Sequence, residues 1–434
     1  MVNTLQLGIA GLGTVGAEVA RQIIANHDHF QKQVGRPLKV TAVSARNAKT
    51  DRGFPMQDIQ FCDNPLDLAS LENVDVVIEL IGGSEGVALD LVESAIAQGK
   101  HVITANKALL AHHGYMLAEK AEKAGVMLAA EASVAGGIPV LKTLRESLSG
   151  NRINRITGIL NGTCNYILST MQHQQRDFDD VLAEAQRLGY AEADPGFDID
   201  GVDAGHKLAL LGAIGFGTAP SIDAVDMTGV RSITMTDMEN ARNLGCTIRL
   251  LAEAEQTEDG QVLMRVRPVI LPLEHQLAKI DGPLNAVTFT GEPIGAITAI
   301  GPGAGAGATA SAVLSDIIDL AVGRVTPFFG VPADQLAAAP SRTTPQKQGR
   351  FFIRLKVYDR PGVLADITTI LKDHAISVES LMQSGRSNDG ENGDVPVILT
   401  THETAPQAIA AASEQLVQLP AILAEPVILA IGQD

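Results

Sequence analysis

The 434-residue chain has no tryptophan, few aromatic residues of any kind (3%) and only three cysteines. Cys62, Cys164 and Cys246 lie far apart, and none has CxxC spacing. Neither a disulfide framework nor a zinc site is indicated, and a reducing compartment is expected. Positive charge is also scarce: 33 basic against 50 acidic residues give a net charge of −17, with no basic run and no basic patch interleaved with aromatics. Such a chain repels phosphate backbones and anionic lipid surfaces, which argues against nucleic acid and membrane partners. No apolar run approaches the roughly 18 residues of a membrane helix. The N-terminus enters a short apolar strand rather than a basic, cleavable leader, so a cytoplasmic protein is expected. A hydrophobic content of 45% and this length suit two or three packed cores.

What the chain does have begins at residues 5–10, LQLGIA, followed directly by Gly11-Leu12-Gly13-Thr14-Val15-Gly16 and a helical stretch. In a GxGxxG between strand and helix, the first glycine permits the tight turn and the second lets backbone approach a pyrophosphate. The third lets the helix pack on the strand, with the helix N-terminus facing the phosphates. Gly11, Gly13, Thr14, Val15 and Gly16 are thus candidate dinucleotide contacts. The second strand ends near Ser44 without the acid that would bind a ribose 2′-hydroxyl, and Arg46, Lys49 and Arg52 follow. That favours NADP, with Arg46 as a contact, and leaves NAD possible, since solvated surface cations would read the same way. Alternation of strands and helices continues through VDVVIELIGG (74–83) and HVITANKALL (101–110), the pattern of a doubly wound, Rossmann-type sheet with ligands at the carboxyl ends of its strands. Thr104 and Lys107 stand at such an end. A helix dipole disfavours a cation at a helix start, so a ligand-facing role is expected for Lys107.

The densest chemistry lies at 183–207, AEAQRLGYAEADPGFDIDGVDAGHK. A helix is expected to stop at Gly189, a turn to pass through Asp194-Pro195-Gly196, and a second, almost wholly apolar helix to start near Gly201. Asp203 and Lys207 then stand one helical turn apart. A lysine against an apolar wall with a carboxylate to orient it suits acid–base work better than surface pairing. Cys164, without a nearby histidine, reads as a packing residue, and His206 as a core or helix-face residue.

The pattern Ala185-x3-Gly189-Tyr190-Ala191-x2-Asp194-Pro195-x2-Asp198-Ile199-x-Gly201-x-Asp203-x3-Lys207 resembles the signature of homoserine dehydrogenases without departure. The resemblance implies Lys207 as proton donor and acceptor, Glu192 as ligand of the substrate ammonium, and Asp198 and Asp203 as carboxylates orienting substrate and lysine. It places Lys107 of the TANK motif beside substrate and nicotinamide, and Gly189 and Gly303 among the cofactor contacts. Glu131-Ala-Ser-Val134-Ala-Gly136-Gly-Ile138 resembles that family's monovalent-cation loop, in which mostly backbone carbonyls of Glu131, Val134, Gly136 and Ile138 hold a sodium-like ion; by spacing alone, a packing turn before a helix serves equally well. The implied reaction is the reversible NAD(P)H-dependent reduction of L-aspartate 4-semialdehyde to L-homoserine, on the route to threonine, methionine and isoleucine. An idle amino-acid sensor, or an oxidoreductase of a related amino-acid aldehyde, are the rival readings.

Four units are expected. A dinucleotide-binding unit spans 1–145 and is completed by about 305–335, where a side-chain-poor loop, GPGAGAGA, precedes an apolar helix. An α+β substrate, catalytic and oligomerisation unit with a mixed sheet spans 146–304, its strands drawn from GVRSITM, TIRLLAEAE, QVLMRVRPVIL, NAVTFTG and GAITAIG. A polar, proline-bearing linker covers 336–349. Residues 350–434 read as βαββαβ, a ferredoxin-like order, and Asp359-Arg-Pro-Gly-Val-Leu364 resembles the first turn of an ACT domain. Since ACT modules pair across subunits and bind amino acids where they meet, a homodimer or homotetramer with threonine as effector is implied.

Overall fold

The computed structural model of the chain describes residues 3–342, 347–383 and 393–432. The first sheet contains β1 (Leu5–Ala10), β2 (Leu38–Ser44), β3 (Gln60–Cys62), β4 (Val76–Glu79), β5 (His101–Thr104) and β6 (Leu128–Ala129). All pairs are parallel, in the order β3-β2-β1-β4-β5-β6. The order reverses direction between β1 and β4, so a crevice opens beyond their carboxyl ends. The continuous apolar runs of these strands follow from burial on both faces. On one face Val19 and Ile23 of helix Thr14–Ala25 share a core with Val313 and Ile317 of the distant helix Ala306–Ala321.

The second sheet is mixed and runs through two units. It begins with β7 (Arg152–Ile159), β8 (Val225–Met227), β9 (Cys246–Gln256), β10 (Val262–Pro272), β11 (Leu284–Glu292) and β12 (Gly295–Pro302). It continues into β13 (Arg350–Tyr358), β14 (Val378–Gln383), β15 (Asp394–Thr401) and β16 (Val427–Ile431). The last four, with helices Val363–Asp373 and Pro406–Leu416, form the expected βαββαβ unit, ordered β16-β13-β15-β14. The parallel pairing of β10 with β16, Val269 opposite Ala430 and Ile270 opposite Ile431, joins this unit to the catalytic one in a single sheet. One face of β13 and β16 also contributes Phe352 and Leu429 to the main core. The C-terminal unit is therefore docked through both its edge and its face, which no local pattern announces.

Helix Val202–Phe216 lies close against the second sheet because its glycines carry no side chain where sheet atoms approach. A Cβ on Gly205 would stand 2.5 Å from the Met227 sulfur, and one on Gly215 would stand 2.7 Å from Ile156 Cδ1. Two expectations change. GVRSITM is not a strand: β8 ends before it, and residues 228–234 form a turn. The Val230 N–H goes to the Ile199 carbonyl rather than to a strand, and Thr234 opens helix Met235–Asn243 through a capping box with Asp237. The polar stretch expected as a linker begins fastened, with Ala337 exchanging backbone hydrogen bonds with Gly217 and Ala219 and with Arg342 paired to Asp226. Its residues 343–346 lie outside the described residues.

Candidate active site

At the crevice of the first sheet, two of the three glycines are sterically fixed. Gly11 has φ +95°, and a Cβ there would lie 2.5 Å from the Leu80 carbonyl oxygen, so the loops after β1 and β4 touch. A Cβ on Gly16 would fall 1.9 Å from the Gly11 carbonyl oxygen. Gly13 differs, because space around its Cβ position is open and it caps helix Thr14–Ala25 without a side-chain hydrogen bond. The first N–H groups of that helix, at exposed Thr14 and half-buried Val15, carry the positive dipole end into this space. Arg46 and Lys49 are exposed beyond β2. Arg52 instead holds the local structure together, since its guanidinium donates to the carbonyls of Asn47, Thr50 and Leu12 and so staples the 47–52 loop to the glycine loop.

Glu79, an acid in an apolar strand, organises the neighbouring strand ends. Its carboxylate accepts from the Ile81 and Gly82 N–H groups at 2.6 and 3.0 Å and from the Thr104 hydroxyl at 2.6 Å. Thr104 is fully buried and its hydroxyl is committed, so its side chain shapes the crevice from behind. Asn106 caps helix Lys107–Ala124 by accepting from the Leu109 N–H, and donates to the Gly83 carbonyl. These bonds fix the start of the helix that presents Lys107.

Lys107 meets the second sheet's chemistry directly. Its ammonium stands 3.1 Å from Asp203 Oδ1, while Lys207 Nζ donates to Asp203 Oδ2 at 2.6 Å and to the Leu160 carbonyl at 2.7 Å. Asn161, just beyond β7, donates from one amide to Asp198 Oδ1 at 2.8 Å and Asp203 Oδ2 at 2.9 Å. Its Oδ1 accepts from the Cys164 N–H and caps helix Gly162–Gln174. Burial alone would push the Asp203 carboxyl up, but Lys207, Lys107 and the bond from Asn161 together hold it well below the usual range. Asp198 goes the other way: burial outweighs the Asn161 bond and raises it, with Asp203 adding repulsion. Phe197 lies under Lys107, 5.7 Å from ammonium to ring centroid, and its ring also meets His206. Burial, then His112, push His206 down to about 4, so this ring is neutral beside the lysines. Cys164 is a buried packing residue whose thiol burial pushes well above its ordinary value.

Lys107, Asp198, Asp203 and Lys207 are thus brought together, and Asn161, which no motif in the sequence singles out, is the common partner of the two carboxylates. Its one local signal is that of a helix-capping asparagine directly after an apolar strand. Glu192 is not brought in: it is exposed on the turn between helix Phe178–Arg187 and Pro195, and joins the cluster through neither a hydrogen bond nor an ion pair among the described residues. Gly189 ends the preceding helix with φ +76° on the same exposed turn.

In the 131–138 loop the Glu131 side chain caps the following helix, accepting from the Leu141 and Lys142 N–H groups at 3.0 and 2.8 Å. Burial, then Asp316, push its carboxyl up to about 7. The Ile138 carbonyl accepts from Val140, whereas among the described residues no backbone N–H reaches the carbonyls of Val134 or Gly136. Main-chain oxygens left free beside an excess of buried acid fit a monovalent cation. The returning segment seals the loop: a Cβ on Gly136 would lie 2.4 Å from the Gly303 carbonyl oxygen, and one on Gly303 would lie 2.1 Å from the Asn285 side chain. Lys142 bolts the loop to helix Ala306–Ala321, reaching Ser315, Asp316 and Asp319 at 2.7, 3.0 and 2.6 Å.

Residues 11–131 match the family model for the homoserine dehydrogenase NAD binding domain, 139–318 the model for homoserine dehydrogenase, and 351–421 that for the ACT domain. The chain is 41% identical to the homoserine dehydrogenase of Pseudomonas aeruginosa over 94% of either chain. The crystal structure of a homoserine dehydrogenase from Thiobacillus denitrificans is similar over 99% of both chains, with TM-score 0.90 and 39% identity. A hyperthermophilic archaeal homoserine dehydrogenase in complex with NADPH is similar over 73% of this chain and 97% of its own, with TM-score 0.63 and 26% identity.

Proposed function

The chain belongs to the homoserine dehydrogenase family, whose members are oxidoreductases with a nicotinamide cofactor, and we propose that it interconverts L-aspartate 4-semialdehyde and L-homoserine with NADP as the favoured cofactor. The observation that carries this reading is the Lys107–Asp203–Lys207 arrangement, one carboxylate holding two lysines beside the carboxyl ends of the dinucleotide-binding strands. The bound nicotinamide supplies the hydride in reduction and takes it back in oxidation. As the aldehyde C=O π bond breaks, the oxygen becomes an alkoxide that needs a proton. Lys207 has three N–H donors and commits two, to Leu160 and Asp203, leaving the third to hold that oxygen and then deliver its proton. Lys107, a second cation, polarises the carbonyl, and Asp203 keeps both ammonium groups in place. Asp198 orients the substrate, and Glu192 holds its ammonium once the exposed turn meets the ligand.

The same reading gives Arg46, Gly11, Gly13, Thr14, Val15 and Gly16 to the cofactor, with Thr104, Gly189 and Gly303 at its margins. The NADP preference is supported by the cations after β2 and by the NADPH complex of the archaeal relative. Carbonyls of Glu131, Val134, Gly136 and Ile138 would hold a monovalent cation, which offsets the local excess of acid. The ACT module takes an amino-acid effector, threonine in this reading, in a homo-oligomeric cytoplasmic enzyme. One experiment tests the core: absorbance at the reduced-nicotinamide band with L-homoserine and NADP, then NAD, each with and without threonine. A rise that is faster with NADP and slowed by threonine is expected; no rise with cofactor bound overturns the reaction.

A further inference from the structure

Arg354 belongs to β13 of the C-terminal unit, yet its side chain is spent on the catalytic unit. Nε donates to Asp237 Oδ1 at 2.7 Å and Nη2 to the Ser232 carbonyl at 2.9 Å. Asp237 is fully buried, and its other oxygen accepts from the N–H and hydroxyl of Thr234 at 2.8 and 2.9 Å. One guanidinium thus ties the 228–234 turn to the helix that follows it. The turn in turn grips the substrate side. Val230 donates its N–H to the Ile199 carbonyl at 2.8 Å, and Arg231 Nη2 reaches Asp200 Oδ2 at 2.9 Å. A Cβ on Gly229 would stand 2.2 Å from the Ile199 oxygen, so the two segments are in direct contact. Ile199 and Asp200 immediately follow Asp198, which shares Asn161 with Asp203.

We propose that Arg354 is a positioning residue for the substrate site: the C-terminal unit, through this side chain, fixes the 228–234 turn and thereby the place of Asp198. The inference rests on the reading of Asp198 as a substrate ligand. The unit is held besides by the β10–β16 pairing and by Phe352 and Leu429 in the main core, whereas Arg354 makes the hydrogen bonds to Ser232 and Asp237. Removing the arginine should therefore loosen the turn without undocking the unit. Coupling of this kind acts through a continuous series of packed and hydrogen-bonded groups, and its loss changes affinity by a few-fold to some tenfold.

The test uses the full chain with Arg354→Met combined with Asp237→Asn, which leaves no unpaired buried charge, beside Arg354→Lys, which keeps the charge but lacks the two-pronged fork. In the double variant the KM for L-homoserine should rise on the order of five-fold, with the KM for NADP and the melting temperature nearly unchanged. Arg354→Lys should recover part of the loss. An unchanged homoserine KM, or a parallel fall of melting temperature and rise of both KM values, overturns the positioning role. Asp198→Asn goes through the same assay. If its homoserine KM is normal, the reading of Asp198 falls and the inference with it; if that KM rises while the Arg354 variants stay normal, the inference alone falls.

Discussion

Lys107 and Lys207 come from different layers of the molecule and meet through one carboxylate, Asp203, at 3.1 and 2.6 Å. Lys107 starts a helix of the dinucleotide-binding sheet, and Lys207 lies in the helix buried against the second sheet. The ion pair across this boundary joins the two layers at the point where the proposed hydride and proton transfers meet.

Replacing Lys207 by alanine removes the proposed proton donor while leaving the glycine loop untouched. Turnover should fall by about 10³-fold, within the usual range for general acid–base groups, with NADP binding unchanged by fluorescence titration. Asp203→Asn leaves two ammonium groups facing a neutral amide and should destabilise the fold by about 3 kcal/mol in denaturant titration. Because the Asp203 carboxyl is depressed in the folded state, its stabilisation is complete above the ordinary aspartate range and fades as pH falls below it. The wild type should therefore lose stability on that acid limb, and Asp203→Asn should lose less.

Asn161→Ala removes both the amide that spans Asp198 and Asp203 and the cap of helix Gly162–Gln174. The cap costs about 1 kcal/mol in stability. Steady-state kinetics should show the KM for homoserine rising on the order of tenfold, since two carboxylates lose their common donor, with the KM for NADP steady.

Arg46 and Arg52 look alike in the sequence and should behave differently. Arg46 is exposed, so Arg46→Ala should raise the KM for NADP about fivefold and spare that for NAD, the loss of roughly one charge-assisted contact. Arg52 staples two loops through carbonyls, so Arg52→Ala should weaken both cofactors alike and lower the melting temperature.

His206 is buried among Phe197 and His112 and held down to about 4. His112 and Lys107 on the facing helix oppose its protonation, and Asp203 on its own helix favours it. The unfolded chain takes up this proton near pH 6.5, the folded chain only near 4, so stability drops as pH falls across that window, by up to about 3 kcal/mol. His206→Gln should flatten melting temperature between those pH values relative to wild type.

Much of this was legible in the chain itself because it depends on short-range order. GxGxxG between strand and helix, the four-residue step from Asp203 to Lys207 and the βαββαβ rhythm after residue 350 are set by backbone conformation and periodicity over a few residues. Tertiary structure decided what joins across distance. Asn161 looks like any capping asparagine until β7 carries it to Asp198 and Asp203. GVRSITM has the composition of a strand, yet contact with Ile199 makes it a turn. Arg354 reads as a surface-strand arginine until β16 pairs with β10 and draws its unit onto Asp237. In each case the bond partner lies far along the chain, and only the assembly of the second sheet with its helices brings it within hydrogen-bond reach.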